Sequence, residues 1–333
     1  MTSLPTRHFL EVDDLSVEEL NDILERSERA RSELGAPLGG RGVALVFEKP
    51  SNRTRNSSEM AVVDLGGHPV YIQGGEVGLD VRESAEDVAR TLASYHSVLC
   101  ARVFDHQVLV RMAAALDQAG SGVPVINLLS DEAHPCQALA DLLTLRSHFG
   151  ADLSGRSLAY IGDANNVWRS LALAAAMVGM ETRVASPAGY GPSEADVARV
   201  ALAGGRLMVT GDPVEAVDGA DAIYTDVWTS MGQEGEAEQR MRDFAGFCVD
   251  ARLCARAGEG ALVMHCLPAH RGEEITADVV DGSQSVVWEQ AANRRHAMRG
   301  LLSWIGESVG DGRSGSAASP VGPVGGTGQG ERR

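Results

Sequence analysis

The sequence predicts an α/β fold of two similar domains, each a mainly parallel sheet flanked by helices, joined by an inter-domain helix, with the active site in the cleft. Three observations carry that prediction. Short apolar runs alternate with amphipathic helical segments on both sides of residue 150, which implies right-handed crossovers and parallel strands. Between the halves, Ala138 to Phe149 carries Leu139, Leu142, Leu143 and Leu145 in a nearly unbroken apolar stripe. Polar clusters follow several apolar runs, where the strand ends of such sheets present ligand sites.

Taken in order, Ser16 to Leu34 places Leu20, Ile23, Leu24 and Ala30 at helical spacing, with Ser16 and Glu19 as a capping box. Residues 43–47 read as a strand, and Ser57 to Leu65 as a helix ended by Gly66-Gly67. His68 to Ile72 is the next strand, and Gln73 to Val81 a glycine-rich loop. Ser84 to Leu92 reads as helix, Ser97 to Val103 as strand, Val108 to Leu116 as helix and Val123 to Asn127 as strand. After a boundary at Gly150 to Gly155, strands at 157–161, 181–185, 206–209 and 222–225 alternate with helices at 167–179, 193–203 and 213–217. A helix near Glu238 to Phe247 and strands at 261–264 and 285–287 finish the second half. Residues 290–306 form an amphipathic closing helix, and the tail from Gly310 onward has no periodicity and reads as disordered.

Composition narrows the function. The 333 residues suit two domains, and no uncharged apolar run reaches the roughly 18 residues of a membrane span. Met1 to Leu10 lacks a basic-then-apolar signal pattern, so a cytoplasmic protein is expected. The five cysteines are odd in number, which suits free thiols in a reducing compartment. A net charge of −17 argues against a nucleic-acid partner. Against that acidic background, Ser51-Asn52-Arg53-Thr54-Arg55 concentrates positive charge between a strand and a helix. Unpaired N–H groups at a helix start, short polar side chains and guanidinium forks together suit a small anion such as phosphate. The same residues also read as an ordinary helix cap with two surface arginines, and the glycines of a nucleotide-binding loop are missing.

Other clusters follow later strands. His134-Pro135-Cys136-Gln137 sets a His and a Gln three apart at a helix start, where both can face one ligand. Asp226 and His265-Cys266-Leu267-Pro268 each follow an apolar run. His265, Cys266 and His270 are zinc-type donors without a fourth ligand at usable spacing, so no metal is expected.

Together these motifs resemble the aspartate/ornithine carbamoyltransferase family over about residues 40–306. Ser51 to Arg55 looks like the family's phosphate turn, and His134 to Gln137 matches its His-Pro-Cys-Gln. Asp163-Ala164-Asn165-Asn166, Asp226 with Ser230-Met231-Gly232, and His265 to Pro268 match its ornithine branch. The resemblance implies transfer of the carbamoyl group of carbamoyl phosphate to the side-chain amine of L-ornithine, without metal or organic cofactor. It implies a carbamoyl-phosphate-binding domain of residues 1–133 plus 290–309, an inter-domain helix at 134–150 and an ornithine-binding domain at 151–289, before the tail at 310–333.

It also implies the site. The phosphate would lie on Ser51, Asn52, Arg53 and Thr54, and the carbamoyl oxygen near Thr54, Arg102 and His134. The carbamoyl amide would lie near Gln137 and the Leu267 backbone, with Arg294 at the same end of the cleft. Asn166, Asp226, Ser230 and Met231 would hold ornithine, with Asp226 and Cys266 orienting its amine. Arg82 best matches the basic residue that a neighbouring subunit brings to the phosphate, since the family works as trimers, alone or in multiples.

The chain departs from the family pattern at Asn52, where Thr is usual, at Trp168-Arg169, and in the 74–81 loop, which lacks a Gln. Putrescine, lysine or a shorter diamino acid therefore stay open as acceptors. A non-catalytic paralogue is disfavoured by the intact phosphate turn, His134, Gln137 and Asp226. A dinucleotide-binding enzyme is disfavoured because no Gly-x-Gly-x-x-Gly follows a strand.

Overall fold

The computed structural model describes residues 6–229 and 234–313. In chain order its first half holds α1 (Val17–Glu28), β1 (Gly42–Phe47), α2 (Asn52–Asp64), β2 (His68–Gln73), α3 (Gly74–Val77), α4 (Ala85–Ala93), β3 (Val98–Arg102), α5 (His106–Gln118) and β4 (Val125–Leu129). The strands form one sheet in the order β2-β1-β3-β4, and every pair is parallel. Helix α6 (Pro135–Phe149) then leads into β5 (Ser157–Ile161), α7 (Asn166–Met177), β6 (Glu181–Ala185), α8 (Glu194–Leu202), β7 (Arg206–Thr210), α9 (Pro213–Val217) and β8 (Ala222–Thr225). The chain continues through α10 (Ala237–Asp243), α11 (Ala251–Cys254), β9 (Leu262–His265) and α12 (Ala277–Val280) to a long last helix, α13 (Val287–Arg313). The second sheet runs β7-β6-β5-β8-β9, again all parallel.

Both sheets reverse direction of growth at one place, between β1 and β3 in the first and between β5 and β8 in the second. Such switch points leave a crevice beyond the strands' carboxyl ends. Buried Val, Leu and Ile on these central strands fix the register, so the residues that follow Phe47, Arg102, Ile161 and Thr225 are carried to the crevices by the sheets themselves.

Several boundaries differ from the sequence reading for local reasons. Helix α2 starts at Asn52 rather than Ser57, because Ser51 caps it, and the anion turn is therefore its first turn. The glycine-rich stretch contains α3, closed by a capping box of Gln73 and Glu76 and ended by a left-handed Gly78. Ser285 makes a single bridge to Val263 rather than a strand, and Val287 already opens α13. That helix continues through residues 310–313, which the sequence placed in the tail; residues 314–333 of that tail lie outside the described residues. Helix α1 stops at Glu28, short of Leu34, because Arg29 turns extended.

Helix α13 packs against α1, α2 and α6 and touches β9. Asp64, at the end of α2, receives a bidentate pair from Arg295 at 2.9 and 2.7 Å, a geometry that fixes both partners. The closest approach is to α1, at Gly300. A Cβ there would lie 2.6 Å from the Ile23 carbonyl oxygen and hard against Ser27 Oγ. Gly300→Ala is therefore expected to lower stability by about 1–3 kcal/mol through overpacking, read as a fall in Tm or in denaturant midpoint.

Candidate active site

Ser51 is extended, and its hydroxyl accepts the Thr54 N–H at 3.3 Å, which starts α2 and leaves Asn52, Arg53 and Thr54 in the first turn. Their amides belong to the set without intrahelical acceptors. Arg102 closes β3 and is only 6% exposed. Burial and the nearby Arg294 and Arg53 guanidinium groups push its pKa down to about 10. The same environment acts on His134, the residue before α6. Burial first, then Arg294, Arg102 and Arg53, hold its imidazole well below the usual range, so it is neutral at ordinary pH.

Arg294 ties this group together from α13. Its guanidinium donates to Thr54 Oγ1 at 3.3 Å and, very closely, to Gln137 Oε1, and lies 3.4 Å from His134 Nε2. Chain segments from residues 51–54, 102, 134–137 and 294 thus meet at one point. Among the described residues no carboxylate forms an ion pair with Arg53, Arg102 or Arg294. The result is a concentrated positive field with few internal partners, the arrangement an anion would complete.

The second sheet supplies the facing wall. Asp226 follows β8 and accepts from Asn165 Nδ2 at 2.9 Å and from Cys266 Sγ at 3.0 Å. Burial and the Asp226 carboxylate raise the Cys266 pKa well above its ordinary value, so it is a thiol donor and not a thiolate; the Arg53 guanidinium opposes that shift. Asn165 caps α7 through its side-chain oxygen, and Asn166 donates to the Ser130 carbonyl at 2.6 Å, beside the turn into α6. Leu267 is left-handed (φ 60°), a conformation costing a non-glycine residue about 1–2 kcal/mol, and its N–H donates to His265 Nδ1 at 2.8 Å.

That last bond settles the His265 tautomer. Nδ1 accepts, so Nε2 carries the proton and donates to Glu274 Oε1 at 3.0 Å. Asp226, His265 and Cys266 place donor atoms within 4.8 Å of one another. With both imidazole nitrogens engaged and the sulfur protonated, this is a hydrogen-bonded brace with no free nitrogen for a metal.

Several expected residues lie elsewhere. Arg55, grouped with the phosphate turn by sequence, stacks on Tyr71 and bonds Glu59 at 2.8 Å. Arg82 is exposed and donates to the Glu76 carbonyl at 2.9 Å in its own loop. Ser230 and Met231 lie outside the described residues. The Asp163 carboxylate takes a bond from Arg240 at 2.7 Å. The departures at 168 and 169 face away from the pocket: Trp168 is core, and Arg169 pairs with Asp196 at 3.2 Å.

Two buried groups that sequence reasoning passed over support the site. Ser170 Oγ accepts the His134 N–H at 2.8 Å and donates to Glu11 at 2.9 Å. Asp141 takes bonds from Gln137 and Gln290, both at 2.7 Å. The signal for Asp141 was its lone carboxylate in an otherwise apolar stripe.

Folded His134 binds a proton only well below 6.5, whereas the unfolded chain binds one near that value. The unfolded state therefore takes up more protons as pH falls below 6.5, and folding loses stability there. Relative to His134→Gln, the wild type is expected to weaken by up to about 1.4 kcal/mol per pH unit across that range. Denaturant unfolding of both proteins at about pH 7.5 and pH 5.5 reads this as a stability difference, wild type minus variant, that falls in acid.

Comparison with known proteins agrees along nearly the whole chain. The family model described as the carbamoyl-P binding domain of aspartate/ornithine carbamoyltransferase matches residues 7–147, and that for the Asp/Orn binding domain matches residues 154–305. An ornithine carbamoyltransferase from Acidothermus cellulolyticus is 50% identical over 311 residues, covering 91% of this chain and 98% of that protein. One from Parafrankia sp. is 48% identical, covering 91% and 96%. Among solved structures, the ornithine carbamoyltransferase of Pyrococcus furiosus superposes with a TM-score of 0.83 at 43% identity, covering 91% of this chain and 97% of its own. That of Thermus thermophilus gives 0.81 at 42%, covering 91% and 99%.

Proposed function

The chain belongs to the aspartate/ornithine carbamoyltransferase family, and from that membership and its pocket we infer that it transfers the carbamoyl group of carbamoyl phosphate to the side-chain amine of L-ornithine, giving L-citrulline and phosphate. The observation that carries the reading is the convergence of Arg53, Arg102, His134, Gln137 and Arg294 opposite Asp226 and Cys266.

Each residue takes a role that its chemistry suits. The first turn of α2, with Ser51, Asn52, Arg53 and Thr54, receives the phosphate through backbone N–H groups and a guanidinium fork. Attack on the carbamoyl carbon moves charge onto its oxygen, and Thr54, Arg102 and neutral His134 stabilise that charge as pre-placed donors. Gln137 and the Leu267 backbone hold the carbamoyl amide, with Arg294 beside them. The phosphate leaves as the C–N bond forms, and it departs into a field of guanidinium groups that already surrounds it.

The amine attacks only when deprotonated, and an alkyl ammonium ordinarily titrates near 10.4. Asp226 orients that amine, Cys266 fixes the Asp226 carboxylate by donating to it, and the departing phosphate accepts the proton. Asn166 with Ser230 and Met231 holds the amino-acid end. These assignments require no metal or organic cofactor, because the reaction needs only positioning, donors and exclusion of water.

We also propose a homotrimer or a multiple of trimers. In support, Arg82 is exposed and reaches no pocket residue of its own chain among the described residues, which suits service to a neighbouring subunit. The division into residues 1–133 plus 290–309, 134–150 and 151–289 accords with α13 packing on α1 and α2. A cytoplasmic setting accords with five unpaired cysteines, and among the described residues no helix is long and apolar enough to cross a membrane.

The deciding experiment assays carbamoyl transfer from carbamoyl phosphate to a panel of ornithine, putrescine, lysine and a shorter diamino acid. Citrulline formation with a clear preference for ornithine is expected, and equal or better turnover of another amine overturns the acceptor. Arg53→Ala is expected to cost carbamoyl phosphate about 3–5 kcal/mol of binding, measured by calorimetry, with secondary structure unchanged.

A further inference from the structure

A chain of buried side chains joins the two walls of the pocket through one carboxylate. Gln137 Nε2 and Gln290 Nε2 both donate to Asp141 Oδ1 at 2.7 Å, and Gln290 Nε2 also lies 3.1 Å from the Tyr224 hydroxyl. Gln137, Asp141 and Gln290 are each no more than 1% exposed. At one end Gln137 Oε1 accepts from Arg294, and at the other Gln290 Oε1 accepts the His265 N–H at 2.9 Å.

Those end partners fix the polarity of the whole chain. A guanidinium and a backbone N–H only donate, so both amide oxygens must face outward and both NH2 groups must face Asp141. Asp141 is therefore the acceptor on which both amides converge. Its second oxygen, Oδ2, has no partner and does not compete. Burial raises the Asp141 pKa to about 7, and the bonds from Gln137 and Gln290 oppose that rise.

We propose that Asp141 is a positioning residue that locks Gln137 with its oxygen toward the substrate, making the site select a carbamoyl NH2 over a methyl group or an oxygen at the same place. The proposal rests on Gln137 meeting the carbamoyl amide. An oxygen locked in this way accepts from an N–H and finds no bond with a methyl; a carboxylate-like oxygen there would face it lone pair to lone pair. Through Gln290 the same carboxylate anchors His265, whose Nδ1 receives the Leu267 N–H, so both groups assigned to the carbamoyl amide trace back to Asp141.

The test compares carbamoyl phosphate with acetyl phosphate, which keeps the phosphate and carbonyl but carries CH3 where the amide stands. In Asp141→Leu, similar in shape but without an acceptor, the KM for carbamoyl phosphate should rise about tenfold or more, while the competitive inhibition constant of acetyl phosphate stays within about threefold. Asp141→Asn keeps an Oδ1 acceptor and should retain most of the selectivity. Parallel weakening of both ligands, or no change in either, overturns the proposal. Should Asp141→Leu not fold, Asp141→Ala is read in the same way; if neither folds, Asp141 is a core strut and the proposal fails. Gln137→Leu separates the two layers. If it spares carbamoyl phosphate, the assignment of Gln137 is wrong; if it weakens carbamoyl phosphate selectively while Asp141→Leu does not, only Asp141 is.

Discussion

The pocket depends on holding like charges together. Burial first, and then the neighbouring guanidinium groups of Arg53, Arg102 and Arg294, depress the basicity of Arg102 and His134, in a chain whose net charge is −17. Left to itself such a cluster would splay toward solvent carboxylates. It is kept in place because Arg294 spends its donors on Thr54 and Gln137, both buried, and because Arg102 is carried to the pocket by a central strand. On the proposed reading, an entering phosphate would relieve the repulsion among these groups, and part of the fold's stability would be converted into affinity for it.

The facing wall works by the opposite logic. Asp226 is a carboxylate supplied with neutral donors, an amide and a thiol, rather than with a cation. On the proposed reading this leaves the carboxylate for the substrate amine. Burial serves both walls, since it strengthens each unneutralised charge and keeps the Cys266 sulfur protonated. A cluster of guanidinium groups and a carboxylate bonded by neutral donors are thus contributed by two sheets with the same kind of switch point.

Much of this was legible in the sequence, for identifiable reasons. The strands at 157–161 and 222–225 are buried along their whole length and mostly apolar, so they could be bounded from residue type. The capping box of Ser16 and Glu19 carries its own short-range signal, and it forms. The start of α2 was misplaced because Asn52 to Arg55 have no apolar periodicity: the cap, not the pattern, begins that helix. Ser285 to Val287 looks like a strand because its valines are buried, yet it is used as a single bridge and a helix start. Arg55 lies outside the site because Tyr71 and Glu59, distant or exposed partners invisible to a local reading, claim its guanidinium. Glu11 went unread for the same reason, since its partner Ser170 lies far along the chain.

The long helix α13 has a consequence for how the protein comes into being. Arg294 stands on the last element, and it is the group that bonds Thr54 from the second helix and Gln137 from the sixth. During synthesis the first sheet can close behind the ribosome long before that arginine emerges. Until it does, the anion cradle lacks its keystone. On the proposed assignment of the pocket, catalytic competence would be withheld from the nascent chain, and a product truncated ahead of α13 would be inert rather than partly active.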